Sequence, residues 1–514
     1  MNLSRRQFVN GGVAIAAGSV IGRSGLRALA LVSAGELASD PRRPQFHLLP
    51  ARNWMNDPNG PIYWRGQYHM FFQYNPNAAV WGDMHWAHAV SPDMIHWRHL
   101  PIALAPQPHG PDSAGCFSGT ALRDGNRVVV LYTGVVDATP EAATIPGSHP
   151  LKESQCLAIA SDPGLTAWTQ EPVPVIAAPP PGLNVTGFRD PTPWRQGDTW
   201  YLAVGSGIRG QGGAVLLYRS TDLRHWEYLH PLVHGSPTGS SASDSVASGD
   251  MWECPDFFPL GNKHVLIYST QGETFWRTGT LDTAAMIFHP ERSGILDYGS
   301  FYAPKTQVDH LGRRILWGWI PETRPEAEYS AAGWAGLMSL PRVLTLDAAH
   351  NLRIALVPEL DEIRQPPRKL NLTGNESEDR QQLAAATVRD ACGEMVLALR
   401  RPSESIEIAL ASSQDPATTW LTCRYDPNRP HEIQMDDKPV PLGPDNKAPV
   451  ELRFLIDGSV IECFANGCGT LTKRFYFPEA SAPEIGLRIN GSASGIAALS
   501  VTQIKPISAN RLTT

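Results

Sequence analysis

The stretch Ser91-Pro92-Asp93-Met94-Ile95-His96-Trp97 follows a short apolar run and recurs in modified form twice more along the chain. Ser161-Asp162 precedes Trp168, and Ser220-Thr221-Asp222 precedes Trp226. Serine and aspartate at a turn hydrogen-bond their own backbone, so each segment predicts a β-hairpin with a tryptophan packed on the next strand. The tryptophans are 71 and 58 residues apart. Several strands in each interval of about 60 residues are typical of a β-propeller.

A second, polar series has nearly the same period. It consists of Asp57, Ser118, Asp190 and Glu253, at intervals of 61, 72 and 63 residues. Equivalent positions on successive propeller blades face the central axis, so the spacing predicts that these side chains converge. The stretch 298–302, with candidate strands at 314–319 and 337–346, would supply a fifth blade. The alternative is a generic propeller whose polar residues are structural.

The pattern changes after Leu346. Residues 358–364 read as a short helix, and Gln365-Pro366-Pro367-Arg368 reads as a linker. Beyond it, apolar runs alternate with Gly, Asp and Asn turns, as in a β-sandwich. We therefore predict an all-β chain with a propeller at 45–350, a linker at 351–368 and a β-sandwich at 369–510.

The composition supports this fold class and excludes others. The chain has 514 residues, 42% of them hydrophobic and 18% charged, so it is not disordered as a whole. The 45 prolines, 45 glycines, 15 tryptophans and 13 tyrosines favour many short strands joined by turns. The formal charge is −7 and no basic block is present, so we predict no nucleic acid partner.

The N-terminus reads as a targeting segment. Ser4-Arg5-Arg6-Gln7-Phe8-Val9 precedes a mildly apolar stretch that ends at Ile21, and Ala28-Leu29-Ala30 offers a small-x-small cleavage site. This resembles a bacterial twin-arginine export signal, which we assign to residues 1–34. The apolar stretch falls short of the ~20 residues of a membrane-spanning helix. We expect an exported periplasmic or extracellular protein with no membrane association after signal removal; a frayed amphipathic N-terminus is the alternative.

Three segments contain acidic residues in unusual settings. Asp57 lies in Trp54-Met55-Asn56-Asp57-Pro58-Asn59-Gly60, where it is either a nucleophile held by amides or an ordinary Asx turn. Asp190 follows Arg189, which is often only a surface ion pair. Glu253 lies in the apolar and aromatic run Trp252-Glu253-Cys254-Pro255-Asp256-Phe257, where burial favours a neutral carboxyl suited to general acid catalysis.

Together these segments resemble glycoside hydrolase family 32, the invertases, inulinases, levanases and fructan exohydrolases. The resemblance covers nearly all of residues 45–505 and includes the order WMNDPNG, GFRDP and WECPDF. Further matches are 72–76, 81–82, 86–89, 115–119, 297–303 and 455–467. The family implies a five-bladed propeller followed by a β-sandwich.

The resemblance also implies residue roles. It makes Asp57 the nucleophile, Glu253 the general acid/base, and Asp190 a carboxylate that binds fructose hydroxyls and stabilises the transition state. It implies that the positions around the terminal fructose are Asn56, Gln73, Trp81, Phe117, Ser118, Arg189 and Tyr302. Arg189 is expected to keep Asp190 ionised. The family uses no metal for chemistry, and we predict no metal and no cofactor.

A cluster of histidines near Trp86 and Trp97 could suggest a metal site. Four histidines, His85, His88, His96 and His99, fall within 15 residues. The three-residue spacing within each pair places its members on opposite faces of a strand, which disfavours a metal site.

The seven cysteines are scattered singly along the chain. Cys463 and Cys468 could bridge a hairpin, but the odd number of cysteines argues against a full disulfide framework. Asp457 and Glu462 are predicted to be structural.

The predicted function is that of a retaining β-fructosidase that hydrolyses sucrose or β-fructans such as levan or inulin. A fructosyltransferase would share all three carboxylates and differ in the acceptor. An inactive carbohydrate-binding relative is the alternative from a different class. The beginning of the first motif, Trp54-Met55-Asn56, resembles the hydrolytic members of the family and favours hydrolysis over transfer.

Overall fold

The computed structural model describes residues 32–237, 239–240, 244–370, 372–415, 417–445, 447–477 and 482–514. The predicted twin-arginine motif and cleavage site lie outside these residues. The last part of the predicted signal is described, and there Ser33 caps helix α1 (Ala34–Ser39). No helix in the described part of the chain is both long and apolar enough to cross a membrane.

Five antiparallel sheets form the first domain. The first sheet contains β1 (Asn53–Trp64), β2 (Gln67–Asn75), β3 (His85–Ser91) and β4 (Arg98–Leu104). The second contains β5 (Gly115–Asp124), β6 (Arg127–Asp137), β7 (Leu151–Ala160) and β8 (Trp168–Gln170). The third contains β9 (Val185–Gln196), β10 (Thr199–Ile208), β11 (Gly212–Ser220) and β12 (Glu227–His234). The fourth contains β13 (Glu253–Leu260), β14 (Lys263–Thr270), β15 (Glu273–Asp282) and β16 (Ile287–Asp297). The fifth contains β17 (Tyr302–Val308), β18 (Arg314–Ile320), β20 (Leu337–Met338), β21 (Arg342–Leu346) and β22 (Leu352–Leu356).

The first strands of the five sheets form a closed ring. Strand β1 contacts β5, β5 contacts β9, β9 contacts β13, β13 contacts β17, and β17 returns to β1. A short strand, β19 (Trp334–Ala335), pairs in parallel with the start of β1 and ties the end of the propeller to its beginning. The predicted five-bladed propeller is therefore confirmed.

The repeated Ser/Asp/Trp segments are turns between the third and fourth strands of the first three blades. In the first, Asp93 accepts hydrogen bonds from the backbone N–H groups of Ile95 and His96, and Trp97 donates its indole N–H to the carbonyl of Met94. The same two contacts recur at Asp162, Trp168, Asp222 and Trp226. The repeat marks the first three blades because in each of them this turn connects the third strand to the outer strand.

Two six-stranded antiparallel sheets form the second domain, which confirms the predicted sandwich. In spatial order, one sheet contains β23 (Arg368–Lys369), β34 (Ile496–Gln503), β25 (Cys392–Leu399), β30 (Val450–Asp457), β31 (Val460–Ala465) and β32 (Gly469–Arg474). The other contains β24 (Thr387–Val388), β33 (Ile485–Asn490), β26 (Ile406–Ser412), β27 (Thr419–Tyr425), β28 (Glu432–Met435) and β29 (Lys438–Pro441). Their apolar residues share one buried core.

The connection between the domains differs from the predicted linker at 351–368. Strand β22 already lies in the fifth blade, where it pairs with β21, and β23 already lies in the sandwich. The predicted short helix is a 3₁₀ helix at Pro358–Glu362. The other helices of the described residues are α2 (Ser245–Ser248), α3 (Glu326–Ala332), α4 (Glu376–Ala384) and two 3₁₀ turns at Arg389–Ala391 and Ala493–Gly495.

A fully buried charged cluster joins the two domains. Arg342 of the fifth blade donates hydrogen bonds to Asp297 of the fourth blade and to Glu462 of the sandwich. His47 lies between Glu462 and Asp457, with Nε2 3.0 Å from Glu462 Oε1 and Nδ1 2.8 Å from Asp457 Oδ2. Asp457 and Glu462 are thus structural residues, as the sequence predicts, but they bind across the domain boundary rather than within the sandwich.

Candidate active site

Polar side chains from all five blades meet inside the ring of first strands. The residues of the polar series lie near the start of β1, β5, β9 and β13, and Tyr302 is the first residue of β17. Asp57, Asp190 and Glu253 are completely buried, and Ser118 and Tyr302 are nearly so. Three buried carboxylates in one place are costly unless hydrogen bonds and opposite charges compensate them.

Asp57 is held by side chains from three blades. The hydroxyl of Ser118 donates to Asp57 Oδ2 at 2.5 Å, and the thiol of Cys254 lies 3.4 Å from the same oxygen. The Asn56 amide donates to Asp57 Oδ1 at 3.0 Å, and the Trp54 indole N–H in turn donates to the Asn56 amide oxygen at 2.8 Å. These donors favour the ionised carboxylate and fix its orientation, which a nucleophile requires.

Asp190 is joined to Asp57 through Cys254. The backbone N–H of Cys254 donates to Asp190 Oδ2 at 2.8 Å, and its thiol lies 3.3 Å from that oxygen. Asp190 and Cys254 both have positive φ angles, +63° and +49°. Such left-handed backbone is uncommon outside glycine and is concentrated at functional sites. Here it turns the Asp190 carboxylate and the Cys254 thiol toward Asp57.

Glu253 has different partners. The Tyr302 hydroxyl donates to Glu253 Oε2 at 2.6 Å. The Arg189 Nε and Nη2 groups both donate to Glu253 Oε1, at 3.0 and 2.9 Å. A phenol and a guanidinium therefore hold the Glu253 carboxyl in one orientation, whereas hydroxyl, amide and thiol groups surround Asp57.

Arg189 has further partners besides the one that we expected. We expected its guanidinium to act on the neighbouring Asp190; its hydrogen bonds go to Glu253 and, at 2.9 Å, to Glu153 Oε1. Burial opposes the charge of Arg189, yet the attraction of Glu153, Glu253 and Asp190 outweighs it and holds the pKa of the guanidinium well above its ordinary value. Arg189 thus links two glutamates.

Glu153 is the residue at this site that our sequence reasoning missed. It lies in β7 and is completely buried, and its Oε2 accepts the backbone N–H of Phe188 at 2.8 Å. The sequence carried one usable signal, a glutamate inside the strand Leu151–Ala160. No partner could be assigned to it because Arg189 is 36 residues away.

The other predicted positions surround this cluster. Gln73 is buried and donates from Nε2 to the carbonyl of Cys116 at 2.9 Å. Trp81 and Phe117 contact edge to face, with ring centroids 5.7 Å apart, at the mouth of the site. The mouth is mainly apolar, and its apolar wall is formed by Trp81, Phe117, Ile145, Pro146, Leu151 and Val246.

The four clustered histidines separate in the structure. His88 bonds to His69 at 2.9 Å, His96 to Asp93 at 2.7 Å, and His85 to the carbonyl of Asp83. The ring of His99 packs edge to face against Phe72, with centroids 6.3 Å apart. Asp93 and His96 do approach Glu362, with ligand atoms within 4.8 Å of one another. The Asp–His pair itself is part of the repeated turn, since Asp222 and His225 form the same contact at 2.7 Å.

The seven cysteines are not joined in disulfides, and Cys468 is the most exposed of them. Cys463 is completely buried, and burial raises the pKa of its thiol well above the ordinary value. Cys254 is thus distinguished from the rest by its two carboxylate neighbours.

Comparison with known proteins agrees with this architecture. The family model described as "Glycosyl hydrolases family 32 N-terminal domain" matches residues 47–356, and "Glycosyl hydrolases family 32 C terminal" matches residues 359–504. The two matched ranges coincide with the propeller and the sandwich.

Individual relatives lead to the same family. A "Sucrose-6-phosphate hydrolase" of Escherichia coli is 35% identical over 472 residues, which are 86% of this chain and 91% of that protein. "Beta-fructofuranosidase 1" of Zea mays is 38% identical over 365 residues, and the match spans about half of the maize protein, 51%. The crystal structure of fructan 1-exohydrolase IIa from Cichorium intybus superimposes with a TM-score of 0.73 at 27% identity, covering 91% of this chain and 98% of that one.

Two matched family models in the right order, a relative of nearly equal length and a shared propeller-and-sandwich fold have one explanation. This chain belongs to glycoside hydrolase family 32.

Proposed function

We propose that this glycoside hydrolase releases terminal β-D-fructofuranosyl units from sucrose or β-fructans with retention of configuration. The observation that carries the proposal is the buried group Asp57, Asp190 and Glu253, in which each carboxylate has a different set of donors. The names of the maize and chicory relatives, a β-fructofuranosidase and a fructan exohydrolase, supply the sugar.

The different donor sets support a division of labour. Asp57 attacks the anomeric carbon of the fructosyl unit, while Glu253 gives its proton to the glycosidic oxygen as that bond breaks. Water then attacks the anomeric carbon while Glu253 takes one of its protons. The bond from that carbon to Asp57 breaks, which frees the Asp57 carboxylate and returns Glu253 to its protonated form. Asp190 binds fructose hydroxyls next to the nucleophile.

The mouth of the site bears on the leaving sugar. If fructose occupies the carboxylate cluster, the leaving group lies against the apolar wall that begins at Trp81 and Phe117. Among the described residues lining the mouth, Arg189 is the one cation, and its guanidinium already pairs with Glu153 and Glu253. A phosphate on the leaving sugar carries about two negative charges and would meet the carboxylate of Asp244, which also lines the mouth. These features favour neutral saccharides over phosphorylated ones.

One experiment tests the reaction and its stereochemistry. Proton NMR of the first-formed fructose should show the β-anomer, and inversion would refute the assignment of Asp57 as nucleophile. Asp57→Asn should lower kcat by at least about a thousandfold on every substrate. Asp256→Asn is a suitable control because this buried aspartate of the same blade as Glu253 binds the backbone of Thr306 instead.

Product analysis distinguishes the alternatives. With sucrose, sucrose phosphorylated on glucose, inulin and levan tested side by side, we expect free fructose from the unphosphorylated substrates. Oligofructosides as the main product at millimolar sucrose would establish the fructosyltransferase instead. No released fructose from any of them would establish the inactive relative.

We further propose export through the twin-arginine route, on the sequence Ser4-Arg5-Arg6-Gln7-Phe8-Val9. Residues 1–34 fused to a reporter that folds before export should carry it out of the bacterial cytoplasm. Replacing Arg5 and Arg6 together by lysine should abolish this transport, and unchanged transport would refute the proposal.

A further inference from the structure

One edge of the sandwich extends into the propeller at a point close to the catalytic cluster. Strand β32 ends its sheet, and the chain that follows β16 pairs along its free side. Tyr298 donates its N–H to the carbonyl of Thr470 at 2.9 Å, and Ser300 donates to the carbonyl of Thr472 at 2.6 Å. The segment 298–300 is therefore held against the edge of the sandwich by two backbone hydrogen bonds.

Side chains lock this pairing at Thr472. Its hydroxyl donates to Asp297 Oδ2 at 2.8 Å and accepts from Arg342 Nη2 at 2.9 Å, and its backbone N–H donates to Asp297 Oδ1 at 2.9 Å. All three residues are essentially buried. The approach is so close that a Cβ on Gly299 would lie 1.9 Å from the carbonyl oxygen of Thr472.

The locked segment leads directly into the catalytic cluster. Phe301 follows it and is buried, with the Arg342 guanidinium 4.5 Å from its ring centroid and with Gly318 leaving room for its ring. The next residue is Tyr302, whose hydroxyl donates to Glu253 Oε2 at 2.6 Å. Only four residues thus separate Asp297, which is bound to the sandwich, from Tyr302, whose phenol orients the proposed acid/base.

We propose that Thr472 of the sandwich is a positioning residue for catalysis, because it fixes the segment 297–301 and thereby the hydroxyl of Tyr302 against Glu253. The sandwich then supports proton transfer to the leaving group in addition to stabilising the propeller. The proposal rests on the proposed function, since it assigns Glu253 the role of proton donor.

The test separates positioning from stability through the leaving group. Sucrose needs a proton on its leaving oxygen, whereas β-D-fructofuranosyl fluoride has an activated leaving group that needs much less protonation. For Thr472→Val we expect kcat/KM on sucrose to fall about tenfold and kcat/KM on the fluoride to fall less than about twofold. Loss of folded enzyme would lower both values equally and leave their ratio unchanged.

Matched variants complete the design. Thr472→Ser keeps the hydroxyl and should restore the ratio to within about twofold of the wild type. Thr502→Val removes the hydroxyl of another buried threonine in the same sheet, on β34, and should leave the ratio unchanged. If Thr472→Val does not fold, Thr470→Val takes its place. That variant removes the hydrogen bond from the Thr470 hydroxyl to the carbonyl of Leu296, which also joins β32 to the chain at the end of β16.

The outcomes are distinct. An unchanged ratio in the Thr472 or Thr470 variant, with active wild-type enzyme, overturns the positioning role. A ratio that falls equally in Thr502→Val overturns it as well. Failure of the wild-type enzyme to cleave either substrate refutes the proposed function instead.

Discussion

His47 should make the stability of the protein depend on pH in the neutral to alkaline range. Its imidazole is completely buried between Asp457 and Glu462 at the domain boundary. Burial opposes protonation, but the hydrogen bonds and charges of the two carboxylates outweigh it and raise the pKa of His47 to about 9. A histidine in the unfolded chain has a pKa of about 6.5.

This difference sets both the sign and the size of the effect. Because the folded state binds the proton more tightly, the stabilisation is fully present below about pH 6.5 and declines as the pH rises to about 9. The difference of about 2.5 pKa units corresponds to about 3 kcal/mol of unfolding free energy at 1.36 kcal/mol per unit. Above this range the contribution is lost.

Thermal unfolding of the wild type and of His47→Gln, recorded from about pH 6 to about pH 9.5, measures the effect. The variant should have a lower Tm at pH 6 and a smaller decline toward pH 9. His85→Gln is the control, since His85 bonds to the carbonyl of Asp83 away from the domain boundary. Parallel Tm curves for the wild type and His47→Gln between pH 6.5 and 9 would refute the reasoning.

Three further changes test the site and the core. Glu153→Gln should lower kcat/KM by about tenfold or more, because the Arg189 guanidinium loses a buried charged partner and changes position. A variant with the same kcat/KM as the wild type would contradict this. Cys254→Ala should lower kcat/KM on sucrose about fivefold, because it removes a weak hydrogen-bond donor to Asp57. Unchanged steady-state kinetics would show that this contact does not contribute to catalysis. Burial lowers the pKa of His69 to about 4, so stability should fall as the pH drops from about 6.5 to about 4; in His69→Gln the Tm should fall less over that range.

The sequence by itself determined the fold class and which residues occupy equivalent positions in successive blades. The Ser/Asp/Trp turns are local structures whose residues bind their own backbone, so their spacing is readable without knowing any distant contact. The polar series followed the same period because residues at one position of each blade face the same axis. That is why the spacing alone predicted that Asp57, Ser118, Asp190 and Glu253 would meet.

The tertiary structure decided which groups bind one another once they meet. The sequence placed Arg189 beside Asp190, but it did not show that the chain turns at the left-handed residue Asp190 and that the guanidinium donates hydrogen bonds to Glu153 and Glu253. The linker was also misplaced, because β22 is a strand only through its pairing with β21. Neither outcome follows from local propensity.

The contacts between the two domains were decided by tertiary structure alone. Asp457 and Glu462 bind His47, more than 400 residues earlier in the chain, and Thr472 binds Asp297 of the propeller. Local propensity reports on near neighbours in the chain, and the blade period reports only on residues at equivalent positions of the repeated blades. Burial of charged groups between two domains depends on which side chains the completed folds bring together, and only the folded chain specifies that.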